Sequence, residues 1–155
     1  MLEKLTDPKD VILHEGRIPL RHRYTPGVAG QAFFTALKDR GELTASRCES
    51  CGITYCPARL FCERCFAGPL DADVVVGPGG TVESFTVGHV GVEGERLDEP
   101  IALALVRLDG ADTVLVHRLL DPDEVSIGDR VEAVLESQAQ RTGSILDVRG
   151  FRPER

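Results

Sequence analysis

Two Cys-X-X-Cys pairs constrain the fold of this chain more than any other feature. The first pair is Cys48 and Cys51, the second is Cys62 and Cys65, and ten residues separate them. Two thiolates in one tight turn can bind a single metal ion, and two such turns provide the four soft, tetrahedral ligands that structural zinc prefers. Gly52 suits a turn whose backbone amides face the sulfur atoms. The spacing predicts a ribbon that binds zinc, or iron in its place, through these four cysteines.

Other uses of the cysteines fit the sequence less well. The total of five is odd and the N-terminus lacks a secretory pattern, so two disulfides are disfavoured and a reducing, cytoplasmic location is expected. A redox Cys-X-X-Cys would need one pair at a strand-to-helix junction. The fifth cysteine, Cys56, is surplus to a closed four-cysteine site. We interpret it as a small packing residue, with a reactive thiol as the alternative.

Charge is distributed unevenly along the 155 residues. Residues 1–70 carry ten Lys or Arg against eight Asp or Glu, a net charge of +2. Residues 71–155 carry eight against seventeen, a net charge of −9, so the total of −7 comes from the second half. Nucleic-acid binding needs a basic surface that neutralises phosphates. The acidic second half therefore argues against it.

Hydrophobic periodicity divides the chain into three parts. Residues 1–27 form a polar N-terminal arm with basic residues at Arg17, Arg21 and Arg23. Residues 28–69 contain a helix over about 30–40, with one apolar stripe, and then the ribbon. Residues 70–155 contain five or six short strands, which predict a small closed barrel of the OB type. The expected fold is mainly β, with an N-terminal helix, a rubredoxin-like zinc ribbon and an OB-fold barrel.

Three details of the predicted barrel can be checked directly. Alternation over residues 81–90 places Val82 on one face of a strand and Phe85 on the other. Residues 91–99 are expected to form a loop. Residues 101–108 are apolar at both odd and even positions, as in a strand buried on both faces. Residues 144–149 are expected to form the last strand.

Specific stretches of this chain resemble the bacterial and archaeal DUF35 family of zinc-ribbon and OB-fold proteins associated with acyl-CoA metabolism. The resemblance covers about residues 28–150 and rests on an ordered set of motifs: FFTALKDRGELTASRCESCG, Pro57-Ala58-Arg59, FCERCF, GTVESFTV, IALALVRLDG and DPDEVSIGDRVEAV. One departure is Cys56, where the family more often has proline. This departure affects the shape of one loop and leaves the four-cysteine motif complete.

The resemblance implies a non-catalytic subunit of a hetero-oligomer. Proteins of this type usually partner thiolase-superfamily enzymes, dock on the catalytic chain and help to hold the coenzyme A thioester. The residues of the chain itself agree, because thiolase chemistry needs a nucleophilic cysteine with histidine bases, and Cys56 has no histidine near it in sequence. A closed four-cysteine site lacks the open position of catalytic zinc, so the zinc is expected to be structural.

Contacts with coenzyme A are expected at the ribbon. Arginine binds phosphate through paired hydrogen bonds, and aromatic side chains could line an apolar path for the pantetheine. The candidates are Arg47, Arg59, Phe61, Arg64 and Phe66, although solvated arginines and packing phenylalanines explain the same residues. The alternatives for the whole chain are a stand-alone coenzyme A or acyl-CoA binding module and, disfavoured by charge, a nucleic-acid-binding protein.

Overall fold

The computed structural model describes residues 7, 9, 16 and 23–154, so the expectations for the N-terminal arm lie almost entirely outside the described residues. The elements in chain order are α1 (Gly27–Arg40), β1 (Leu43–Arg47), β2 (Thr54–Tyr55), β3 (Val74–Val76), β4 (Gly79–Val90), β5 (Arg96–Leu108), β6 (Val114–Arg118), β7 (Arg130–Leu135) and β8 (Val148–Pro153). Short 3-10 turns occupy Pro122–Glu124, Gln138–Gln140 and Ile145–Asp147. None of the described helices is both long and apolar enough to cross a bilayer.

Helix α1 buries the apolar stripe that the sequence predicted. Ala29, Phe33, Ala36 and Leu37 are all buried. The helix ends at Gly41, whose φ of 69° is left-handed and whose amide donates to the carbonyls of Ala36 and Leu37. Glycine adopts this conformation without the penalty that a Cβ imposes, so it is the usual residue after a helix.

The strands form two antiparallel sheets, and their order confirms the predicted mainly β fold with an OB-type domain. The ribbon sheet has the order β2-β1-β3, and the larger sheet has the order β6-β5-β4-β7-β8. The expected barrel is not closed by continuous pairing. Its two edge strands meet only at one parallel bridge, Leu119 with Phe151, which is the partly open arrangement of OB-folds.

The hairpin of β4 and β5 differs from the sequence prediction in three ways. The register shifts between Val82 and Ser84, and this bulge brings Val82 and Phe85 onto the same core-facing side. β5 begins at Arg96, inside the expected loop. β5 is an interior strand of the sheet but is not buried on both faces, since Ala102, Ala104 and Val106 alternate with the more exposed Ile101 and Leu103.

The end of the chain also differs, because the expected strand over 144–149 begins with a 3-10 turn. The Asp147 carboxylate accepts hydrogen bonds from the backbone amides of Thr142, Gly143 and Ser144 at 2.7–3.3 Å, and from the Thr142 hydroxyl. Ser144 caps the same turn through the Leu146 amide. β8 therefore starts only at Val148.

One core joins the helix, the ribbon sheet and the OB-fold. A single cluster of buried side chains runs from Phe33 and Leu43 to Val131 and Phe151. The turn at residues 109–113 also binds the ribbon edge: Asp112 exchanges hydrogen bonds with Thr54 at 2.8 and 2.9 Å. Thr113 bonds both the amide and the carbonyl of Cys56, at 2.9 and 3.0 Å. The ribbon is therefore fixed on the OB-fold by polar and apolar contacts together.

Candidate metal centre

The structure brings the four predicted ligands together at one point. The Sγ atoms of Cys48, Cys51, Cys62 and Cys65 all lie within 4.8 Å of one another. Two of the separations are 3.6 Å, between Cys48 and Cys65, and 3.9 Å, between Cys51 and Cys62. A tetrahedron with Zn–S bonds of about 2.3 Å has S···S edges of about 3.8 Å, so the cluster fits zinc.

The two cysteine pairs lie in two turns with the same backbone hydrogen bonds. In the first knuckle, residues 48–53, the amide of Cys48 donates to the Ile53 carbonyl and the amide of Gly52 donates to the Cys48 carbonyl. In the second knuckle, residues 62–67, Cys62 donates to Ala67 and Phe66 donates to Cys62, at 2.8 and 2.9 Å. Each pair thus presents both thiols on one side of a tight turn.

The fifth position of each knuckle is left-handed. Gly52 occupies it in the first knuckle with a φ of 73°, and Phe66 occupies it in the second with a φ of 60°. Phe66 is the one non-glycine residue with positive φ among residues 23–154. This conformation costs a residue with a Cβ about 1–2 kcal/mol, and the Phe66 side chain recovers little of that cost because it is 82% exposed.

Tyr55 lies against the cluster and favours ionised sulfur. Its hydroxyl is 3.2 Å from the Sγ of Cys62, and this hydrogen bond lowers the pKa of the Cys62 thiol to about 6. In contrast, contact with the Cys65 thiol and partial burial raise the pKa of Cys51 to about 12. Four adjacent thiolates repel one another, so a divalent cation is the partner that allows all four to ionise together.

Cys56 lies outside this cluster, as the sequence predicted. Its side chain is 2% exposed and packs in the main core. Burial raises the pKa of the Cys56 thiol to about 12. A thiol that stays protonated and shielded from solvent is a poor nucleophile, which supports the packing interpretation over the reactive one.

Comparisons with known proteins identify the family. A family model described as "ChsH2, rubredoxin-like zinc ribbon domain" matches residues 35–71, and one described as "ChsH2, C-terminal OB-fold domain" matches residues 73–136. A "DUF35 domain-containing scaffold protein" of Methanocaldococcus jannaschii is 29% identical over 100 residues, which are 63% of this chain and 70% of that protein. The chain belongs to the DUF35 family. A scaffold protein of the same description from Methanothermobacter thermautotrophicus is 28% identical over 99 residues, which are 63% of this chain and 74% of that protein.

Solved structures of DUF35 proteins share the fold. A DUF35 protein of unknown function from Sulfolobus solfataricus superposes with a TM-score of 0.62 and 26% identity, covering 82% of this chain and 84% of that one. A structure described as "Ltp2-ChsH2(DUF35) aldolase" superposes with a TM-score of 0.57 and 25% identity, covering 88% of this chain and 98% of that one. The ribbon followed by an OB-fold is therefore the common architecture of these proteins.

The five residues expected to contact coenzyme A do not line one common pocket of this DUF35 chain. Arg47 lines a cavity of about 450 Å³ that also contains Glu49, Asp71 and Asp73. Arg64 lines a separate cavity of about 460 Å³ beside the first knuckle.

The third arginine is engaged within the ribbon. Arg59 pairs with Glu63 and lies 5.2 Å above the Tyr55 ring. The two phenylalanines, Phe61 and Phe66, project from the ribbon surface and are 56% and 82% exposed.

Three features of the site were not predicted from the sequence. Tyr55 and the pair Asp112 and Thr113 gave no local signal, because their partners are distant in the chain. The left-handed position of Phe66 could have been found, since aligning the two Cys-X-X-Cys motifs places Phe66 opposite Gly52. A phenylalanine at a position where the turn favours glycine is an exception that the aligned motifs show.

Proposed function

We propose that this DUF35 protein is a non-catalytic, zinc-containing accessory subunit that docks on a thiolase-superfamily enzyme. In this role it helps to hold a coenzyme A thioester at the catalytic chain. The observation that carries the proposal is the likeness to the DUF35 chain of the Ltp2-ChsH2 aldolase. The superposition covers 98% of that DUF35 chain. The description of the archaeal relatives as scaffold proteins supports the same role.

The placement of the nucleophilic and basic side chains supports an accessory role. The four cysteines of the ribbon face one another in a cluster that would hold a metal ion through four sulfur ligands, as structural zinc sites do. His117 is buried, and its Nε2 lies 3.2 Å from the Ile145 carbonyl. Burial lowers the pKa of His117, so this histidine stays neutral and inside the OB-fold. The four clustered cysteines and His117 therefore have structural positions.

Charge around the ribbon arginines suggests how the two chains share the coenzyme. The Arg47 cavity contains three carboxylates, which oppose the binding of phosphate, and the charge of Arg59 is paired with Glu63. Phosphate binding needs a surplus of positive charge at the site. We propose that the catalytic subunit supplies most of the phosphate contacts and that Arg47 and Arg64 add to them at the interface.

Co-expression with the thiolase-superfamily chain encoded nearest to this one tests the proposal. We expect a stable complex by size-exclusion chromatography with light scattering, and we expect the enzyme alone to be less active than the complex. A monomeric accessory chain together with full activity of the enzyme alone would refute the proposal.

The alternative functions give different results in binding experiments. Calorimetry with millimolar coenzyme A should show heat for the complex and little for this chain alone, whereas a stand-alone binding module would show full heat without the enzyme. A gel shift with DNA or RNA at low salt should show no binding. A shift that weakens steeply with salt would indicate nucleic-acid binding instead.

A further inference from the structure

The second knuckle carries an aromatic side chain where its backbone favours glycine. Phe66 is left-handed at φ 60°, and the equivalent residue of the first knuckle is Gly52 at φ 73°. The two turns have the same hydrogen bonds, so glycine would satisfy the second knuckle equally well. Since Phe66 is 82% exposed, burial within this chain does not explain the phenylalanine. Strained and exposed residues of this kind are characteristic of functional surfaces.

A second exposed aromatic side chain lies on the same part of the ribbon. Phe61 precedes the first ligand of this knuckle and is 56% exposed. Its ring lies against Gly68, because a Cβ at Gly68 would come within 2.5 Å of the Phe61 Cδ1. The knuckle ligands Cys62 and Cys65 lie between the two phenylalanines in sequence. The cysteine cluster therefore fixes the backbone from which both rings project.

The shape of this surface favours a protein partner over a small ligand. Phe61 and Phe66 line neither the Arg47 cavity nor the Arg64 cavity, which lie beside the ribbon. Small molecules bind in concave sites, whereas projecting aromatic side chains fill pockets on partner proteins and dominate the binding energy there. Glu63 and Arg64, both exposed, provide the polar rim that surrounds such anchors.

We infer that Phe66, supported by Phe61, is the aromatic anchor that this chain inserts into an apolar pocket of its thiolase-type catalytic subunit. The inference rests on the proposed function, because it names the side chain through which the proposed docking occurs. Backbone strain in the free chain is then retained because the projecting ring stabilises the complex.

The substitution Phe66→Gly tests the inference in two opposite directions. In the free protein, relief of the left-handed strain should raise the midpoint of thermal unfolding by about 2–4 °C, with the zinc content unchanged. In the complex, loss of the anchor should weaken binding to the purified catalytic subunit by about 30-fold, as measured by calorimetry. A stabilised chain that binds its partner less tightly is the result that only an anchor predicts.

Two further variants serve as controls. Phe66→Tyr keeps an aromatic ring and the strained backbone, so it should bind within a few-fold of the wild type and gain no thermal stability. Val92→Ala removes a fully exposed apolar side chain from the turn between β4 and β5, and it should change neither property. Phe61→Ala should weaken binding less than Phe66→Gly.

The outcomes separate this inference from the proposed function. If the wild type forms no complex with the catalytic chain, the proposed function fails and the inference fails with it. If the wild type binds and Phe66→Gly binds equally well, the role of Phe66 as an anchor is wrong, while the proposed function stands. If Phe66→Gly is not stabilised, the strain argument is wrong even where binding falls.

Discussion

At the scale of single residues, Asp147 is the most heavily hydrogen-bonded carboxylate of the described chain. It is 3% exposed and accepts from three successive backbone amides and one hydroxyl. Burial alone would raise the pKa of Asp147, but these hydrogen bonds outweigh it and hold the pKa below its usual value. The carboxylate thus organises the segment that leads into β8.

Replacing Asp147 should destabilise the protein in a pH-dependent way. Asp147→Ala leaves buried amides without acceptors, and we expect a loss of about 1–3 kcal/mol in the free energy of unfolding at pH 7, measured by urea denaturation. Because the folded pKa lies below the unfolded value of about 3.9, the stabilisation is complete above about pH 4 and is lost as the pH falls through the folded pKa. The difference between variant and wild type should therefore shrink in acid. Asp98→Asn, at an exposed site on β5, is the control and should be as stable as the wild type. If the difference in unfolding free energy between Asp147→Ala and the wild type stayed the same in acid, this role of the Asp147 carboxylate would be wrong.

The sequence allowed some residue roles to be predicted and not others, for physical reasons. The four cysteines were predictable because a knuckle is local and its spacing alone sets the geometry. Ser144 and Asp147 have the spacing of a capping box, yet the apolar Ile145 and Leu146 between them favoured a strand. Tyr55 could not be assigned, since its partner Cys62 is defined only by the folded turn.

At the scale of elements, the end of α1 depends on close packing around Gly41. A Cβ at this position would lie 2.6 Å from the Nη1 of Arg141, whose Nε donates to the Glu136 carbonyl at 2.9 Å. The positive end of the Arg141 side chain thus lies beside the carboxyl end of the helix, where cations are favourable. Glycine is needed there both for its φ and for its small size.

Gly41→Ala should therefore cost more than an alanine at another left-handed glycine. We expect a loss of about 1–2 kcal/mol from the backbone conformation, plus the cost of displacing Arg141. Gly27→Ala is the matched control, because Gly27 has the same φ of 69° and nothing within 4 Å of the added Cβ. Urea denaturation of both variants would isolate the Arg141 contribution. Equal losses would mean that Arg141 moves aside without cost.

The elements themselves were predictable from periodicity, but the faces of β4 were not. Alternation is a reliable guide only while the register is regular, and one inserted residue moves every later side chain to the other face. The bulge between Val82 and Ser84 has this effect and returns Phe85 to the core side. Nothing local marks the bulge, because it is set by the pairing with β5.

At the scale of the whole molecule, the shared core predicts that ribbon and OB-fold unfold together. We expect about one zinc per chain by elemental analysis and one thermal transition that moves to lower temperature when a chelator removes the metal. Cys48→Ser should behave like the chelated protein, whereas Cys56→Ala should keep both the zinc and the single transition. Two separate transitions, or an unchanged OB-fold transition after chelation, would show that the cores are independent.

The order of helix, ribbon and OB-fold followed from the sequence, but the way these parts interlock did not. The hydrogen bonds of Thr54 and Cys56 reach residues 58 and 57 positions further along the chain. Contacts at such separations depend on the topology of both sheets, which local patterns do not encode. The parallel bridge between Leu119 and Phe151 is a further example, because it exists only once the sheet has curled.

The hydrogen bonds between residues 109–113 and the ribbon edge limit how the domains of such proteins can be exchanged. A chimera that exchanges residues 35–71 alone would set a foreign ribbon edge against Asp112 and Thr113. Any shift of that edge would leave the backbone groups at positions 54 and 56 without these partners. The exchangeable unit is therefore discontinuous: a transplanted ribbon must bring the matching turn of its own OB-fold. Natural recombination at the boundary between the two domains should be rare for the same reason. Loss of the Asp112 carboxylate should loosen the ribbon whatever side chain stands at position 54, because Asp112 bonds the backbone of Thr54.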